Sequence, residues 1–559
     1  MRIRLEQLNP TIGDLKGNTD LILSALDRAE KEGIELLILP ELAVTGYPPQ
    51  DLLENDHFRQ KCYRVNQQLI AASGSTALLF GNITPNLAPF GRKMNNSAIL
   101  CHEGRELGCV HKTLLPTYDV FDDLRYFEPN TLYNPVHFKG ASLCITICED
   151  IWYNENEVQY HTYPTDPAKE LKELGADLII NISASPYTRS KHENRVGMIR
   201  NHALTLGLPV LYCNQTGANT EIIFDGDTLA MSAEGELVAT TRPFLATHTD
   251  LLFCSETGVR AVPEQEMTDY PESEEERQFY AIQCGIKDYF RKSGLQRKAV
   301  LGLSGGIDSA LVAVLLKEAL GSDAVKAVTM PSAFSSVGSV TDSEQLALNL
   351  GIELIKIPVR EIVSSFESAL NPWFENTPFG VAEENLQSRV RGTLLMAWSN
   401  KFDSLLITTG NKSEIATGYA TLYGDMNGAL SVIGDLYKTD VYRLSVWLNE
   451  KYYRREVIPL STLTKAPSAE LRPDQKDSDS LPDYDQLDGI LIRYIDLQWN
   501  KGKIIEAGYD AAEVERIITL VDRNEFKRFQ SAPVLKLSSK AFGTGRRWPI
   551  VQQWTKNSD

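Results

Sequence analysis

The stretch KAVLGLSGGIDSALVAVLLKEAL, residues 298–320, constrains the fold more than any other part of the chain. A short apolar run, two adjacent glycines and a long apolar run of helical length read as buried strand, tight turn and helix. The glycines let successive backbone N–H groups face one point, the helix start adds its partial positive charge, and Ser304 and Ser309 add hydroxyls. Gly302, Leu303, Ser304, Gly305, Gly306, Ile307, Asp308 and Ser309 are thus a candidate phosphate loop. Asp308 would repel a phosphate unless a cation bridged the two, which implies Mg²⁺. No Lys follows the glycines and the pattern is not G-x-G-x-x-G, so neither common nucleotide fingerprint applies. The plainer reading is a glycine turn with Asp308 as an acid at a helix start.

The alternation continues on both sides. Downstream, Glu274–Lys292, Asp308–Leu320 and Thr341–Leu350 have helical spacing. Ala299–Leu303, Val325–Met330, Ile352–Ile357 and Leu405–Thr409 read as strands. This predicts a doubly wound parallel sheet. Upstream, Arg2–Leu8, Leu36–Leu39, Ala77–Phe80, Ala98–Leu100, Leu143–Ile147, Leu178–Ile182 and Val210–Cys213 read as strands. Asn18–Glu32, Asp166–Leu174 and Glu193–Leu206 read as helices, giving a second layered α/β domain. Between the halves, VPEQEMTDYPESEEER carries seven acids, one Arg and two prolines. The expected division is a domain over 1–255, an acidic linker over 256–273 and a domain over 274–559. The polar stretch Ser468–Asp485 is expected to be a mobile loop. A length of 559 residues suits two or three domains.

Charge narrows the partners. There are 56 basic and 74 acidic residues, a net −18, which argues against nucleic acid and anionic membranes. The eight cysteines form no C-x-x-C pair. No run of eighteen apolar residues occurs, and MRIRLEQLNPTIGD lacks the apolar core of a secretion signal. A cytoplasmic location is expected.

Residues 302–309 match the SGGxDS loop and resemble the ATP pyrophosphatase superfamily. These enzymes cleave ATP between its α- and β-phosphates and adenylate an oxygen that a nucleophile then displaces. ENLQSRVRGTLLMAWSN (Glu384–Asn400), LLITTGNKSEIATGYATLYGDMNGALSVIGDLYKT (Leu405–Thr439) and KAPSAEL (Lys465–Leu471) are similar to the NAD synthetase signature within that superfamily. The resemblance implies that Thr409 and Lys438 contact ATP, and that Asn385 and Glu414 contact deamido-NAD⁺. Asp308 and Glu414 would approach Mg²⁺, Glu414 standing open between metal and substrate. Lys536 is a candidate for a phosphate or carboxylate of deamido-NAD⁺. Outside this context Lys438 and Lys536 read as solvated lysines.

In the first half, Cys148 ends the apolar run SLCITIC beside two acids, which raise rather than lower a thiol pKa. Glu41 follows ELLILP and Lys112 follows ELGCVH, both at strand ends. Groups at strand ends can converge on one sheet edge. Singly, each has a plainer role: packing, turn, solvated surface. Together LPELAVTGY, HKTLLPTYDVFDDLRYF and ICEDIW resemble the nitrilase superfamily, over nearly all of residues 1–255. That resemblance implies an α-β-β-α sandwich with Cys148 as nucleophile, Glu41 as general base and Lys112 as stabiliser of the tetrahedral intermediate. The flanks are similar to the glutaminase domain of glutamine-dependent NAD synthetases, in which Tyr118, Ser185 and Lys191 would hold glutamine and Phe121 would wall its pocket. A second-acid role at Asp122–Asp123 is not expected, since relatives often carry Glu there. Asn181, Asn214 and Asp225 read as structural supports. The implied substrates are glutamine, deamido-NAD⁺ and ATP, and a homodimer or larger assembly is implied by the nitrilase half. The rivals are another ATP-dependent amidotransferase or a non-catalytic nucleotide-binding protein. A tRNA substrate fits poorly with the acidic charge, and Arg2 stands where an asparagine synthetase has its nucleophilic Cys.

Overall fold

The computed structural model describes residues 1–152, 163–262, 268, 270–295, 298–374, 377–473, 475–479 and 481–554. The chain divides into two compact units, Met1–Pro271 and Glu272–Asp559.

The first unit holds two sheets. Its strands are β1 (Arg2–Gln7), β2 (Leu36–Ile38), β3 (Ala77–Pro85), β4 (Met94–His102), β5 (Arg105–His111), β6 (Val136–Phe138), β7 (Ala141–Ile147), β8 (Leu178–Ser183), β9 (Val210–Asn214), β10 (Thr216–Asn219), β11 (Ile222–Asp225), β12 (Leu229–Met231), β13 (Leu237–Thr240), β14 (Thr247–Cys254) and β15 (Gly258–Ala261). One sheet runs β15-β14-β1-β2-β3-β4-β5 and the other β13-β12-β9-β8-β7-β6, with a separate β10-β11 ribbon. The middle strands β1–β2–β3 and β7–β8–β9 are parallel. Strands buried on both faces have no polar side, which is why segments such as β2 and β7 read as apolar runs, whereas β1 (RIRLEQ) alternates and pairs its buried Arg4 with Asp250. Ile3, Leu5, Ile38 and Leu79 from one sheet share a core with Ile145, Ile180 and Leu211 from the other. Helix Leu15–Lys31 covers the outer face of the first sheet through Ile22, Leu26 and Ala29. Helices Pro167–Glu173 and Lys191–Leu206 cover the second through Leu171, Ile199 and Ala203. The result is an α-β-β-α sandwich.

Two boundaries differ from the sequence reading for local reasons. The first helix begins at Leu15 because the Asp14 carboxylate accepts the Gly17 N–H and caps it. The stretch 256–273, expected to be linker, opens with β15, which pairs with β14. Farther on, the Tyr270 ring stacks on His192 at 3.8 Å. Composition missed this because the strand GVRA is short and lies beside the acids. Residues 263–267 and 269 of that stretch lie outside the described residues.

The second unit carries β16 (Ala299–Gly302), β17 (Val325–Thr329), β18 (Glu353–Lys356), β19 (Leu405–Thr408) and β20 (Leu430–Ser431), ordered β18-β17-β16-β19-β20 and parallel throughout. The chain winds outward from β16 through β17 to β18, then returns to place β19 on the other side. The topological switch therefore falls between β16 and β19, where ligands of doubly wound sheets bind. Helix Ile307–Leu320 is buried along nearly its whole length, so it is apolar all round rather than on one stripe. The stretch Ser468–Asp485, expected to be a mobile loop, carries local order among its described residues. Asp477–Asp479 forms a 3₁₀ turn, Asp477 is buried, and the Leu471 N–H and Ser468 hydroxyl both donate to Gln475. Polar composition concealed this because the loop's contacts are themselves polar; residues 474 and 480 lie outside the described residues. Among the described residues no helix is long and apolar enough to cross a membrane.

Candidate functional site

In the first unit, three strand ends bring one ion cluster together. Glu41 follows β2 and is fully buried; Lys112 follows β5 and Cys148 follows β7, 1 % and 3 % exposed. Lys112 Nζ donates to Glu41 Oε1 at 2.8 Å and to Asp123 Oδ2 at 2.7 Å. Glu41 also accepts from Asn96 Nδ2 at 2.7 Å and from the Ala184 N–H at 2.9 Å. Asp123 Oδ1 accepts from the Tyr47 hydroxyl at 3.0 Å. Every buried charge thus has partners, the condition on which a buried ion cluster survives. Burial alone would lower the Lys112 pKa, but Asp123 and Glu41 carry it well above its ordinary value. Cys148 begins the turn Cys148–Ile151 at φ 45°, a left-handed conformation uncommon outside glycine. Burial pushes its thiol well up, Glu41 pushes further, and Lys112 opposes both. The resting sulfur is a thiol and needs a proton acceptor as it reacts.

The neighbouring groups form a polar wall. The buried Glu149 carboxylate accepts from the Tyr118 hydroxyl at 3.0 Å and the Tyr163 hydroxyl at 2.9 Å. The Tyr118 ring packs edge-on against Phe121 at 5.3 Å. Lys191 Nζ lies 3.4 Å from the Trp152 ring centroid and interacts with Glu149. Ser185 is buried, its N–H donating to Asn214 Oδ1. Asn181 Nδ2 donates to the Cys148 carbonyl at 3.4 Å, and Asp225 pairs with buried Arg195. Asn181, Asn214 and Asp225 thus make structural bonds. Asp123, at the Asp122–Asp123 pair where no second-acid role was expected, pairs with Lys112, and Asn96 was missed. Asp123 sits beside an identical neighbour with nothing in the sequence to separate them, and Asn96 lies inside a strand.

In the second unit, the Gly302–Ser309 loop joins β16 to helix Ile307–Leu320. Gly305 has φ +82° and a Cβ there would meet the Ser339 carbonyl at 2.2 Å, so glycine is required twice over. The Ser304 N–H donates to Ser309 Oγ and the Gly306 N–H to Ser304 Oγ. The loop borders a cavity of about 310 Å³ that is also lined by Thr409, Glu414, Lys438, Lys465, Glu470 and Asp477. Asp308 accepts from Asn411 Nδ2 at 2.8 Å and pairs with Lys438, whose Nζ lies 3.5 Å from Glu414. Burial raises the Glu414 pKa to about 8, Asp308 contributing and Lys438 opposing. Two carboxylates therefore share one lysine.

Asn385 and Lys536 do not join this lining. Asn385 accepts from the Thr421 hydroxyl at 2.8 Å. Lys536 is buried, donating to the Ser538 and Ser539 carbonyls and interacting with Asp435. Among the described residues no group of three or more His, Cys, Asp or Glu is arranged to hold a metal ion by itself. Two hard carboxylates beside an anion loop do suit Mg²⁺, which commonly takes one or two carboxylates and completes its shell with water and substrate phosphates.

The two halves match separate families, carbon-nitrogen hydrolase over residues 2–247 and NAD synthase over 279–531. The chain is 44% identical to the glutamine-dependent NAD(+) synthetase of Synechocystis sp., with 98% of each chain covered. It is 38% identical to that of Acinetobacter baylyi, with 99% and 98% covered. A solved glutamine-dependent NAD⁺ synthetase from Acinetobacter baumannii, in complex with ADP, superposes with TM-score 0.77 at 35% identity, covering 100% of this chain and 99% of that one. With both folds and both clusters of reactive groups in a single polypeptide, and full-length relatives at this identity, the chain belongs to the glutamine-dependent NAD(+) synthetases.

Proposed function

We propose that the chain makes NAD⁺ by ATP-dependent amidation of deamido-NAD⁺ with ammonia released from glutamine, the glutaminase work belonging to the unit ending at Pro271 and the synthetase work to the unit beginning at Glu272. The observation that carries this reading is Lys112, held between Glu41 and Asp123 and electrostatically coupled to a thiol on a left-handed turn.

Cys148 Sγ attacks the glutamine carboxamide carbon as its proton passes to Glu41. The Lys112 ammonium faces the developing oxyanion, where a buried, preorganised charge acts most strongly. Glu41 returns the proton to the leaving nitrogen, giving ammonia and a Cys148 thioester. A water deprotonated by Glu41 then releases glutamate and restores the thiol. Lys191 and Ser185 suit the glutamine carboxylate. Glu149, with the Tyr118 hydroxyl on it, suits the α-ammonium.

In the other unit the 302–309 loop and Lys438 bind the ATP phosphates, with Thr409 beside them. Asp308 and Glu414 would hold Mg²⁺, which would supply charge neutralisation at the phosphates. The deamido-NAD⁺ carboxylate attacks the α-phosphate, pyrophosphate leaves, and ammonia displaces AMP from the adenylate. Asn385 serves deamido-NAD⁺ from beside the cavity through Thr421, while the buried contacts of Lys536 favour a structural role. A homodimer or larger assembly and a cytoplasmic location belong to the same proposal.

The test is an assay with deamido-NAD⁺, MgATP and glutamine. NAD⁺, AMP, pyrophosphate and glutamate should form in equal amounts. Absence of AMP would sink the reading.

A further inference from the structure

We infer that Asp150 is a positioning residue for glutamine hydrolysis: one carboxylate ties the segment carrying Lys112 to the turn carrying Cys148. This rests on the proposed roles of those two residues.

The geometry is specific. Asp150 Oδ1 accepts the Thr113 N–H at 2.9 Å and the Leu114 N–H at 2.8 Å, the two amides directly after Lys112. Its Oδ2 accepts the Ile147 N–H at 3.0 Å, the amide directly before Cys148. Lys112 leaves β5 in one sheet and Cys148 leaves β7 in the other. Packing between sheets fixes such ends only loosely, whereas three charge-assisted bonds to one buried side chain, 1 % exposed, fix them closely. Asp150 does not itself bond to Lys112, Glu41 or Cys148 among these contacts, so it acts through backbone. A loss of the clamp would let the ammonium and sulfur drift apart without emptying the glutamine pocket.

The clamp also has a titratable component. Burial raises the Asp150 pKa to about 7, against the three backbone donors and Lys112, which favour the ionised form. Cys144 on β7 interacts with the same carboxylate, and Cys109 and His111 of β5 line a cavity of about 200 Å³ that reaches Asp150. Protonation removes one of the acceptor sites the three amides use. The clamp is therefore complete above about pH 7 and loosens below it.

Asp150→Asn tests this in the full-length chain. It keeps the shape but turns one acceptor into a donor facing an amide. The expected result is a fall in kcat for glutamine hydrolysis of about 100-fold, the scale of an ångström-sized misplacement. KM for glutamine should change less than about twofold, ammonium-driven NAD⁺ synthesis should persist, and Asp150→Glu should recover part of the rate. An unchanged kcat, or a raised KM at unchanged kcat, would overturn the inference. If Asp150→Asn does not fold, the unsubstituted chain decides. Its kcat for glutamine hydrolysis should rise with pH around a midpoint near 7, and its ammonium-driven synthesis, compared at equal free NH₃, should lack that limb. A kcat flat from about pH 6 to 8 would reject the clamp.

Discussion

Each unit sets a buried lysine between two carboxylates at its proposed site, Lys112 in the first and Lys438 in the second, yet the two arrangements differ in how fully they are satisfied. Lys112 has Glu41 and Asp123, and neutral donors from Asn96, Ala184 and Tyr47 complete those carboxylates. Lys438 has Asp308 and Glu414, but Glu414 is pushed to about 8 and the cluster opens on a cavity. The first cluster is saturated, and under the proposed mechanism the charge it awaits arises within the reaction, on a carbonyl oxygen. The second is left short of positive charge, and in the proposal what it awaits comes from outside, as a cation carried with phosphates. On that proposal, one arrangement of three side chains serves as a preorganised stabiliser or as a receptor, depending on how fully its acceptors are already satisfied.

The hardest break in that comparison comes from paired substitutions. Cys148→Ala should abolish NAD⁺ formation from glutamine while high ammonium at mildly alkaline pH, which supplies free NH₃, restores it. Asp308→Ala should do the reverse, ending synthesis with either nitrogen source while glutamine hydrolysis persists. HPLC of NAD⁺ and glutamate under both nitrogen sources reads all four outcomes. A Cys148→Ala chain that still used glutamine would remove the thiol from the mechanism, and an active Asp308→Ala chain would remove the carboxylate.

Asp123→Asn sharpens the saturated side. Losing one partner of a buried, bonded lysine should destabilise the first unit by about 3–5 kcal/mol. It should also slow glutamine hydrolysis by about 100-fold. Urea unfolding and stopped-time glutamate assays give the two numbers. A stability loss with normal hydrolysis would assign Asp123 to the scaffold alone.

Glu414 sharpens the unsatisfied side through pH. Its folded pKa of about 8 lies above that of a Glu in the unfolded chain, roughly 4.3. The fold therefore holds the proton more tightly. This contribution is fully present below the unfolded value and is lost as pH rises through the folded one. The melting temperature of the ligand-free chain should fall by about 2 °C or more between pH 5 and 8, and Glu414→Gln should flatten that slope. Identical slopes in the two proteins would show that the carboxyl is already ionised.

The smallest effect is expected at Asn385. Asn385→Ala should raise KM for deamido-NAD⁺ by the worth of one hydrogen bond, about 1–3 kcal/mol, with KM for glutamine unchanged. Initial rates at varied deamido-NAD⁺ check it, and an unchanged KM would leave Asn385 as a partner of Thr421 alone.

What was legible in the sequence followed from backbone requirements. The Gly302–Ser309 loop announces itself because only glycine fits at Gly305, and Glu41, Lys112 and Cys148 stand where apolar strands stop. The alternation of strand and helix located β1, β2, β7, β8, β9 and β16–β19. Beyond β9, strands such as β14 (THTDLLFC) mix polar and apolar residues and were not anticipated. Partners set by tertiary folding were likewise hidden. Asn96 is distinguished from other strand asparagines only by what lies across the sheet, Asn411 only by Asp308 more than a hundred residues away. The burial of Lys536 was not legible either, because a lysine among small polar residues reads as exposed, whereas carbonyls of its own segment enclose it.

The position of β1 has a consequence for synthesis on the ribosome. This first strand is central in its sheet, flanked by β2 and, on its other side, by β14, with Arg2 opposite Leu252 and Gln7 opposite Thr247. At about 5–20 residues per second, β14 follows β1 by roughly 12 to 50 seconds. Throughout that interval one flank of a buried strand has amides and carbonyls without their final neighbour, the condition under which nascent chains pair with one another. A truncation before β14 should therefore yield aggregates rather than a smaller sandwich.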